Sequence, residues 1–200
     1  ARKVIDSNND KSQLVLDIGA LAGVSEGDNP HLWYFPADVR KVVDRLVEDF
    51  KRIDPADAQA FDQRKASFET QQFKRYTNAL DTIRQNHESQ PVGASESLFV
   101  GIASATGLEL VTPSSFVTAI SEGVDPSVQD KSTVENQIST KAIKVFVYNP
   151  QNSTPDIANL VDAAKAQQIP VVEFTETLVG PTFIDWQVTQ LQHLADALGP

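Results

Sequence analysis

The stretch from residue 56 to residue 87 constrains the fold most, because it contains neither proline nor glycine, the residues that interrupt helices. Asp54 and Pro55 precede it as an N-cap and a first-turn proline. Its apolar stripe consists of Phe61, Phe68, Phe73, Tyr76, Leu80 and Ile83. A helix of this length spans on the order of 45 Å, more than a typical globular helix. Since no sustained heptad repeat is present, we expect a strut between two lobes rather than a coiled-coil arm.

A second helix is predicted ahead of the strut, over residues 36–53, where apolar side chains recur every three or four residues. These are Val39, Val42, Val43, Leu46, Val47 and Phe50. Further upstream, residues 4–6 and 14–18 are short apolar runs that predict strand ends. Gly27, Asp28, Asn29 and Pro30 then indicate an irregular loop that leads to His31.

After Pro91 the pattern alternates between short apolar runs and amphipathic stretches bounded by glycine or proline. The predicted strands cover residues 91–95, 108–111, 143–148 and 171–174. The predicted helices cover residues 97–106, 114–121, 128–141, 155–168 and 184–198. Strands that alternate with helices form parallel sheets with helices on both faces. The sequence therefore predicts an α/β lobe with a parallel four-stranded sheet flanked by helices.

Composition excludes several kinds of chemistry. The chain has no cysteine and no methionine, so a metal site must use imidazole or carboxylate groups. A formal net charge of −10 argues against nucleic-acid binding, because basic residues are too few to neutralise phosphates. No apolar run reaches the roughly 20 residues that cross a bilayer. The sequence also lacks nucleotide-binding glycine motifs and the GxSxG and HExxH motifs of hydrolases.

Three polar residues lie where a binding site can form. Glu96 and Glu176 each follow a predicted strand, and ligands of open parallel sheets bind beyond the carboxyl ends of strands. A glutamate in either position is equally typical of a helix cap or first helical turn. His31 lies in a loop beside two aromatic residues, which is also typical of a hydrogen-bonded structural histidine. His87 and His193 lie on polar helical stretches, and we expect both to be solvated.

A set of segments, taken in order, supports a more specific hypothesis. They are Asn29-Pro-His-Leu-Trp33, Ile53-Asp54-Pro55, Ala94-Ser95-Glu96-Ser97-Leu98-Phe99, Gly107-Leu108, Val147-Tyr148-Asn149-Pro150-Gln151, Pro170-Val171-Val172, Thr175-Glu176-Thr177 and Trp186. Together they resemble the metal-binding receptors of zinc and manganese ABC importers, the ZnuA/TroA-like solute-binding proteins. In these receptors a long rigid helix joins two lobes. The resemblance covers residues 28–200.

Such receptors hold one metal ion between the lobes with four ligands. The resemblance implies that His31 is the second ligand, Glu96 the third and Glu176 the fourth. Glutamate in the third position is frequent in manganese-type members, whereas the fourth ligand is usually aspartate, so Glu176 departs by one methylene. A ligand set rich in carboxylates favours Mn²⁺ or Fe²⁺, although Zn²⁺ usually has the higher affinity.

The resemblance also implies how the chain is organised. Residues 1–35 are expected to be a remnant of the N-terminal lobe, residues 36–89 the linking helices with the strut, and residues 90–200 the C-terminal α/β lobe. The segment that carries the first histidine ligand is not found, so we expect an N-terminally truncated receptor. The expected function is to capture a divalent transition metal and deliver it to a membrane permease, without enzymatic activity. The expected location is the periplasm or, for a lipoprotein, the cell surface.

Two other classes of function fit the same residues. A surface adhesin can use this scaffold with metal in a secondary role. A small-molecule-binding α/β enzyme is the other alternative, and the missing phosphate-binding glycines argue against it. Since a lost lobe leaves apolar surface bare, we also expect the truncated chain to form a dimer.

Overall fold

The structure is a computed structural model that describes residues 13–25 and 27–199. The strand end predicted at residues 4–6 lies outside the described residues. The one predicted at residues 14–18 is wrong, because residues 14–17 are irregular and helix α1 (Ile18–Ala22) begins directly after them. The carboxylate of Asp17 caps this helix by accepting a hydrogen bond from the Ala20 amide at 3.0 Å, which a strand does not allow.

The two helices predicted over residues 36–53 and 56–87 lie where the sequence predicts them. Helix α2 (Pro36–Ile53) ends just before the turn Pro55–Asp57. The strut then runs without a break through α3 (Ala58–Ser67), a π-helical segment (Phe68–Phe73) and α4 (Lys74–His87). The π-helical segment was not predicted. Its wider turn shifts the apolar stripe around the helix axis, and Phe73 is buried at its end.

The strands and helices after residue 90 confirm the α/β prediction. They are β1 (Pro91–Ala94), α5 (Val100–Thr106), β2 (Glu109–Leu110), α6 (Ser114–Ser121), α7 (Val128–Ser139), β3 (Phe146–Tyr148), α8 (Pro155–Ala166), β4 (Val171–Glu173) and α9 (Phe183–Leu198). All strand pairs are parallel, and the strand order is β2-β1-β3-β4. The order reverses between β1 and β3, which makes the gap beyond their carboxyl ends the expected place for a ligand.

Helices cover both faces of the sheet, and each face has its own apolar core. One core joins the sheet to α4, α5 and α9, with Phe99 and Phe174 in contact at its centre. The other joins it to α6, α7 and α8, with Phe146 fully buried. Burial on both faces explains why the strands read as continuous apolar runs. Within the described residues, no helix is both long enough and apolar enough to cross a membrane.

The burial of His87 corrects a prediction from the sequence. Its side chain is 5% exposed rather than solvated, and its Nδ1 lies 3.3 Å from the Gln90 amide nitrogen. The surrounding stretch is polar, but α9 packs against α4 and covers this part of the helix. The burial of His87 therefore depends on the contact between α4 and α9, which are far apart in the sequence. His193, on α9, is exposed as predicted.

An apolar face on α2 remains uncovered in the described structure. Leu46, Phe50 and Ile53 are 38%, 47% and 64% exposed. A groove of about 340 Å³ continues this surface toward α1 and is lined by Val39, Val42 and other apolar side chains. Apolar patches of this kind mark association surfaces. The dimer remains a prediction. If it forms, we expect the contact to lie on this apolar face of α2.

The dimer prediction is tested by light scattering over a range of protein concentrations. We expect a mass that rises toward twice the chain mass and a Phe50→Ser variant that stays monomeric, because the substitution removes apolar area from the contact. Val128→Ser is the matched control, since Val128 is 85% exposed on α7, away from this face. A wild-type protein that stays monomeric at high concentration would contradict the prediction.

Candidate metal centre

The three predicted ligands lie at the carboxyl edge of the sheet. Glu96 follows β1 and Glu176 follows β4, while His31 reaches the same edge from the loop before α2. Asn149 directly follows β3, the strand between β1 and β4. These positions surround the point where the strand order reverses, which is where open α/β sheets bind ligands.

His31 is buried, and its ring is held at Nδ1. This nitrogen lies 2.9 Å from Asn29 Oδ1 and 3.1 Å from Ser97 Oγ. Asn29 Oδ1 also accepts the His31 backbone amide at 3.0 Å, while its Nδ2 donates to the Ser97 carbonyl at 2.8 Å. The amide is therefore oriented with its oxygen toward the ring, so Nδ1 carries the proton and Nε2 keeps its lone pair.

This tautomer can be measured directly. In a two-dimensional ¹⁵N–¹H correlation spectrum of the metal-free protein at neutral pH, we expect His31 to have a protonated Nδ1 and an unprotonated Nε2. His193 is the internal control, because it is exposed and should have the mixed tautomers of a free imidazole. A His31 ring protonated at Nε2 would contradict the assigned hydrogen bonds.

Burial and the neighbouring carboxylate have opposite effects on His31. Burial lowers the pKa of the imidazole, while the carboxylate of Glu176 raises it, as an acceptor for a protonated Nε2 and by its charge. Burial is the larger effect, so the pKa lies below its ordinary value. The ring is therefore neutral at neutral pH, and neutral imidazole is the form that binds a metal ion.

Close packing against α5 fixes the position of the backbone segment that follows His31. His31 caps a short turn, Leu32–Tyr34, and the carbonyl of Tyr34 lies directly against Gly101. A Cβ atom built on Gly101 would approach the Tyr34 carbonyl oxygen to 2.4 Å. Glycine is therefore required on this face of α5 for the loop to reach the sheet edge.

Glu96 is buried, and its carboxylate is held by two neutral amides. Asn149 Nδ2 donates to Oε1 and Asn152 Nδ2 donates to Oε2, both at 2.6 Å. Burial raises the pKa of Glu96, the two amide hydrogen bonds lower it, and the charge of Glu176 raises it further. Each carboxylate oxygen keeps a lone pair, which makes Glu96 a ligand already fixed in orientation.

Glu176 approaches His31 from the other side of the edge. Its Oε1 lies 3.4 Å from His31 Nε2, and its side chain is 42% exposed. Two ligands of a tetrahedral Zn²⁺ ion are about 3.3 Å apart at ordinary bond lengths. The backbone of Glu176 is fixed by Gln151, whose Oε1 accepts its amide at 2.8 Å.

The structure brings His31 and Glu176 together and orients Glu96 toward Asn149 and Asn152. Within the part of the chain that the structure describes, no three His, Cys, Asp or Glu side chains lie close enough together to hold one ion. The three-ligand set therefore stays a prediction. Glu176 is still near enough to Glu96 for its charge to raise the pKa of Glu96.

Several residues around the site were not assigned a role from the sequence. They are Asn29, Ser97, Asn149, Asn152 and Gln190. Asn149 carried a usable signal, because it follows a buried strand just as Glu96 does. The hydroxyl of Ser97 supports the His31 ring and contacts Ser121 Oγ at 2.8 Å.

The chain combines an α/β lobe, a long helix and polar residues at the carboxyl edge of the sheet, and this arrangement matches the fold of solute-binding proteins. The sequence profile of the family described as zinc-uptake complex component A, periplasmic (ZnuA), matches residues 1–197. The chain belongs to this family. Its members are metal-binding transport receptors, so the prediction that the chain is not an enzyme is confirmed.

Solved structures with the same fold include other metal receptors. The periplasmic zinc-binding protein TroA from Treponema pallidum has a TM-score of 0.74 and 17% identity, over 98% of this chain and 76% of that one. FpvC from Pseudomonas aeruginosa, solved with Mn²⁺, has a TM-score of 0.71 and 14% identity, over 98% and 73%. A search of curated protein sequences gives no match.

A laminin-binding protein also has this fold. The laminin-binding protein Lbp of Streptococcus pyogenes has a TM-score of 0.63 and 16% identity, over 84% of this chain and 64% of that one. At this identity the likeness establishes the fold and nothing about the ligand. The chain spans between 64% and 76% of the length of these neighbours.

Proposed function

We propose that the chain is the metal-capturing component of an ABC importer and that it binds one divalent transition metal ion through His31, Glu96 and Glu176. The family supports a metal receptor in general terms. The choice of ligands, the identity of the metal and its delivery to a permease are part of the proposal.

The contact between His31 and Glu176 carries the proposal. Hydrogen bonds to Asn29 and Ser97 place the ring proton on Nδ1, so a lone pair of Nε2 faces a carboxylate oxygen 3.4 Å away. Two acceptors that face each other repel unless a cation lies between them. A divalent metal ion would bind both groups, and the distance between His31 Nε2 and Glu176 Oε1 suits two ligands of the same ion.

Glu96 would complete the site from the carboxyl end of β1. Asn149 and Asn152 hold its carboxylate in the same way that outer-shell amides orient metal-binding carboxylates elsewhere. Because no three ligands converge among the described residues, binding requires Glu96 or Glu176 to move toward the ion. We therefore expect weak binding by three protein ligands, with an open position for water or a further group.

The ligand chemistry favours Mn²⁺ or Fe²⁺ as the transported ion. Two carboxylates and one imidazole are harder donors than the histidine-rich sites of zinc receptors, while Zn²⁺ has the higher intrinsic affinity for most such sites. We place the protein outside the cytoplasm, in the periplasm or at the cell surface, where it would pass the ion to a membrane permease. The adhesin alternative has the scaffold alone in its favour.

Isothermal titration calorimetry tests the proposal on metal-free protein with Mn²⁺, Zn²⁺ and, under anaerobic conditions, Fe²⁺. We expect one ion per chain and a loss of binding in a His31→Ala variant. His193→Ala is the matched control, because this exposed histidine lies outside the site. A titration that gives no heat with any of the three ions, or equal binding by both variants, would contradict the proposal.

A further inference from the structure

Gln190 joins the two segments that carry His31 and Glu176. It lies on α9, is 6% exposed, and directs Oε1 toward the sheet edge. This oxygen accepts the backbone amide of Thr175 at 2.8 Å and lies 3.0 Å from the hydroxyl of Tyr34. Thr175 immediately precedes Glu176 in the chain.

Tyr34 completes the connection on the histidine side. The single proton of its hydroxyl is shared between the Thr175 carbonyl oxygen, 2.8 Å away, and Gln190 Oε1, 3.0 Å away, and its backbone amide donates to the His31 carbonyl at 3.0 Å. We call Tyr34, Thr175 and Gln190 the Gln190 network. Gln190 Oε1 therefore contacts both Thr175, which precedes Glu176, and Tyr34, whose backbone amide is hydrogen-bonded to the His31 carbonyl.

Thr175 is hydrogen-bonded at its backbone amide, at its backbone carbonyl and at its side-chain hydroxyl. Gln190 accepts from its amide, Tyr34 donates to its carbonyl, and Trp186 Nε1 donates to its hydroxyl at 2.8 Å. By contrast, Leu178 and Val179, a few residues further on, are more than half exposed. The fixed point of this loop is therefore Thr175, directly beside the ligand position.

The amide nitrogen of Gln190 supports the same interpretation. This Nε2 is buried and finds no acceptor among the residues that the structure describes. A buried unpaired donor lowers stability, and an apolar side chain of the same size avoids this loss. Gln190 therefore makes hydrogen bonds through Oε1, while its unpaired Nε2 lowers the stability of the fold.

We propose that Gln190 is a positioning residue that sets the separation of His31 and Glu176 by fixing Thr175 and Tyr34 relative to each other. The role in metal affinity rests on the proposed function. The role in fixing Thr175 does not, because it is a property of the metal-free protein. The two parts can therefore be tested separately.

The test uses a Gln190→Met variant, with Gln187→Met as the matched control. Gln187 lies one turn earlier on α9, is fully buried, and hydrogen-bonds the Trp33 carbonyl at 3.4 Å instead of Thr175. Both variants remove a buried amide from the same helix. We expect Gln190→Met to weaken Mn²⁺ binding in calorimetry by about 10- to 100-fold, the usual effect of losing an outer-shell partner. Gln187→Met loses only the longer contact of 3.4 Å with the Trp33 carbonyl and should weaken Mn²⁺ binding far less than Gln190→Met does.

Amide hydrogen exchange of the metal-free proteins gives the second readout. In Gln190→Met the Thr175 amide should exchange roughly tenfold faster, because its hydrogen bond is lost. Gln190→Glu keeps an acceptor oxygen and should restore slow exchange. Unchanged Thr175 exchange in Gln190→Met, or equal Mn²⁺ affinities of both methionine variants, would overturn the inference. A wild-type protein that binds no metal overturns the proposed function, while the exchange data still decide whether Gln190 fixes Thr175.

Discussion

A Gly101→Ala variant should lose about 3 kcal/mol of unfolding free energy, the upper part of the range for overpacked sites. The new methyl group would meet the Tyr34 carbonyl oxygen at 2.4 Å and its carbonyl carbon at 2.8 Å. Backbone atoms cannot rotate away as a flexible side chain can, so the Leu32–Tyr34 turn or α5 must shift. Because His31 caps this turn, the shift should also weaken metal binding.

Urea denaturation of the metal-free protein measures this effect. Gly19→Ala is the matched control, because Gly19 is also helical and a Cβ atom there meets its nearest neighbour at 3.4 Å. Alanine is a better helix former than glycine, so the control should be neutral or stabilised by up to about 1 kcal/mol. Equal stability of the Gly101→Ala variant and the wild type would contradict the described contact between α5 and the histidine segment.

Mn²⁺ should stabilise the wild type against heat, and a Glu96→Ala variant should lose this effect. At a hundredfold excess over the dissociation constant, bound metal adds about 2.7 kcal/mol. For a chain of this length, that raises the melting temperature by roughly 5–10 °C. Alanine removes the carboxylate that we propose as a ligand, so the metal-dependent shift should fall close to zero.

The comparison must use the metal-free baseline of each protein. Glu96→Ala removes the acceptor of Asn149 Nδ2 and one of the two acceptors of Asn152 Nδ2, which destabilises the variant by about 1–3 kcal/mol even without metal. Glu109→Ala is the matched control, because Glu109 is a glutamate of the same sheet, on β2, but is exposed. If Glu96→Ala retained the full metal-dependent shift, Glu96 would not be a ligand.

Local sequence patterns were sufficient to predict most of the fold. Each strand and helix after residue 90 is bounded by glycine, proline or a capping residue, so its position depends on neighbouring residues. The strut was predictable for the same reason, since no interrupting residue occurs within it. Residues 14–18 gave a wrong prediction because a capping aspartate outweighed their apolar character.

The site was harder to predict because its contacts join distant parts of the chain. His31 and Glu176 meet across a separation of 145 residues, and Gln190 contacts Tyr34 across 156. Nothing near these residues in the sequence encodes such contacts. The predicted ligands came from the family resemblance, while position alone left a capping role open for both glutamates. The burial of His87 depends in the same way on the packing of α9.

Anomalous diffraction from crystals grown with Mn²⁺ tests the central claim most directly. We predict one strong peak per chain at the carboxyl edge of the sheet, about 2.1 Å from His31 Nε2 and from carboxylate oxygens of Glu96 and Glu176. A peak held by other residues, or no peak at this edge when the crystals contain Mn²⁺, would contradict the metal site proposed for this chain.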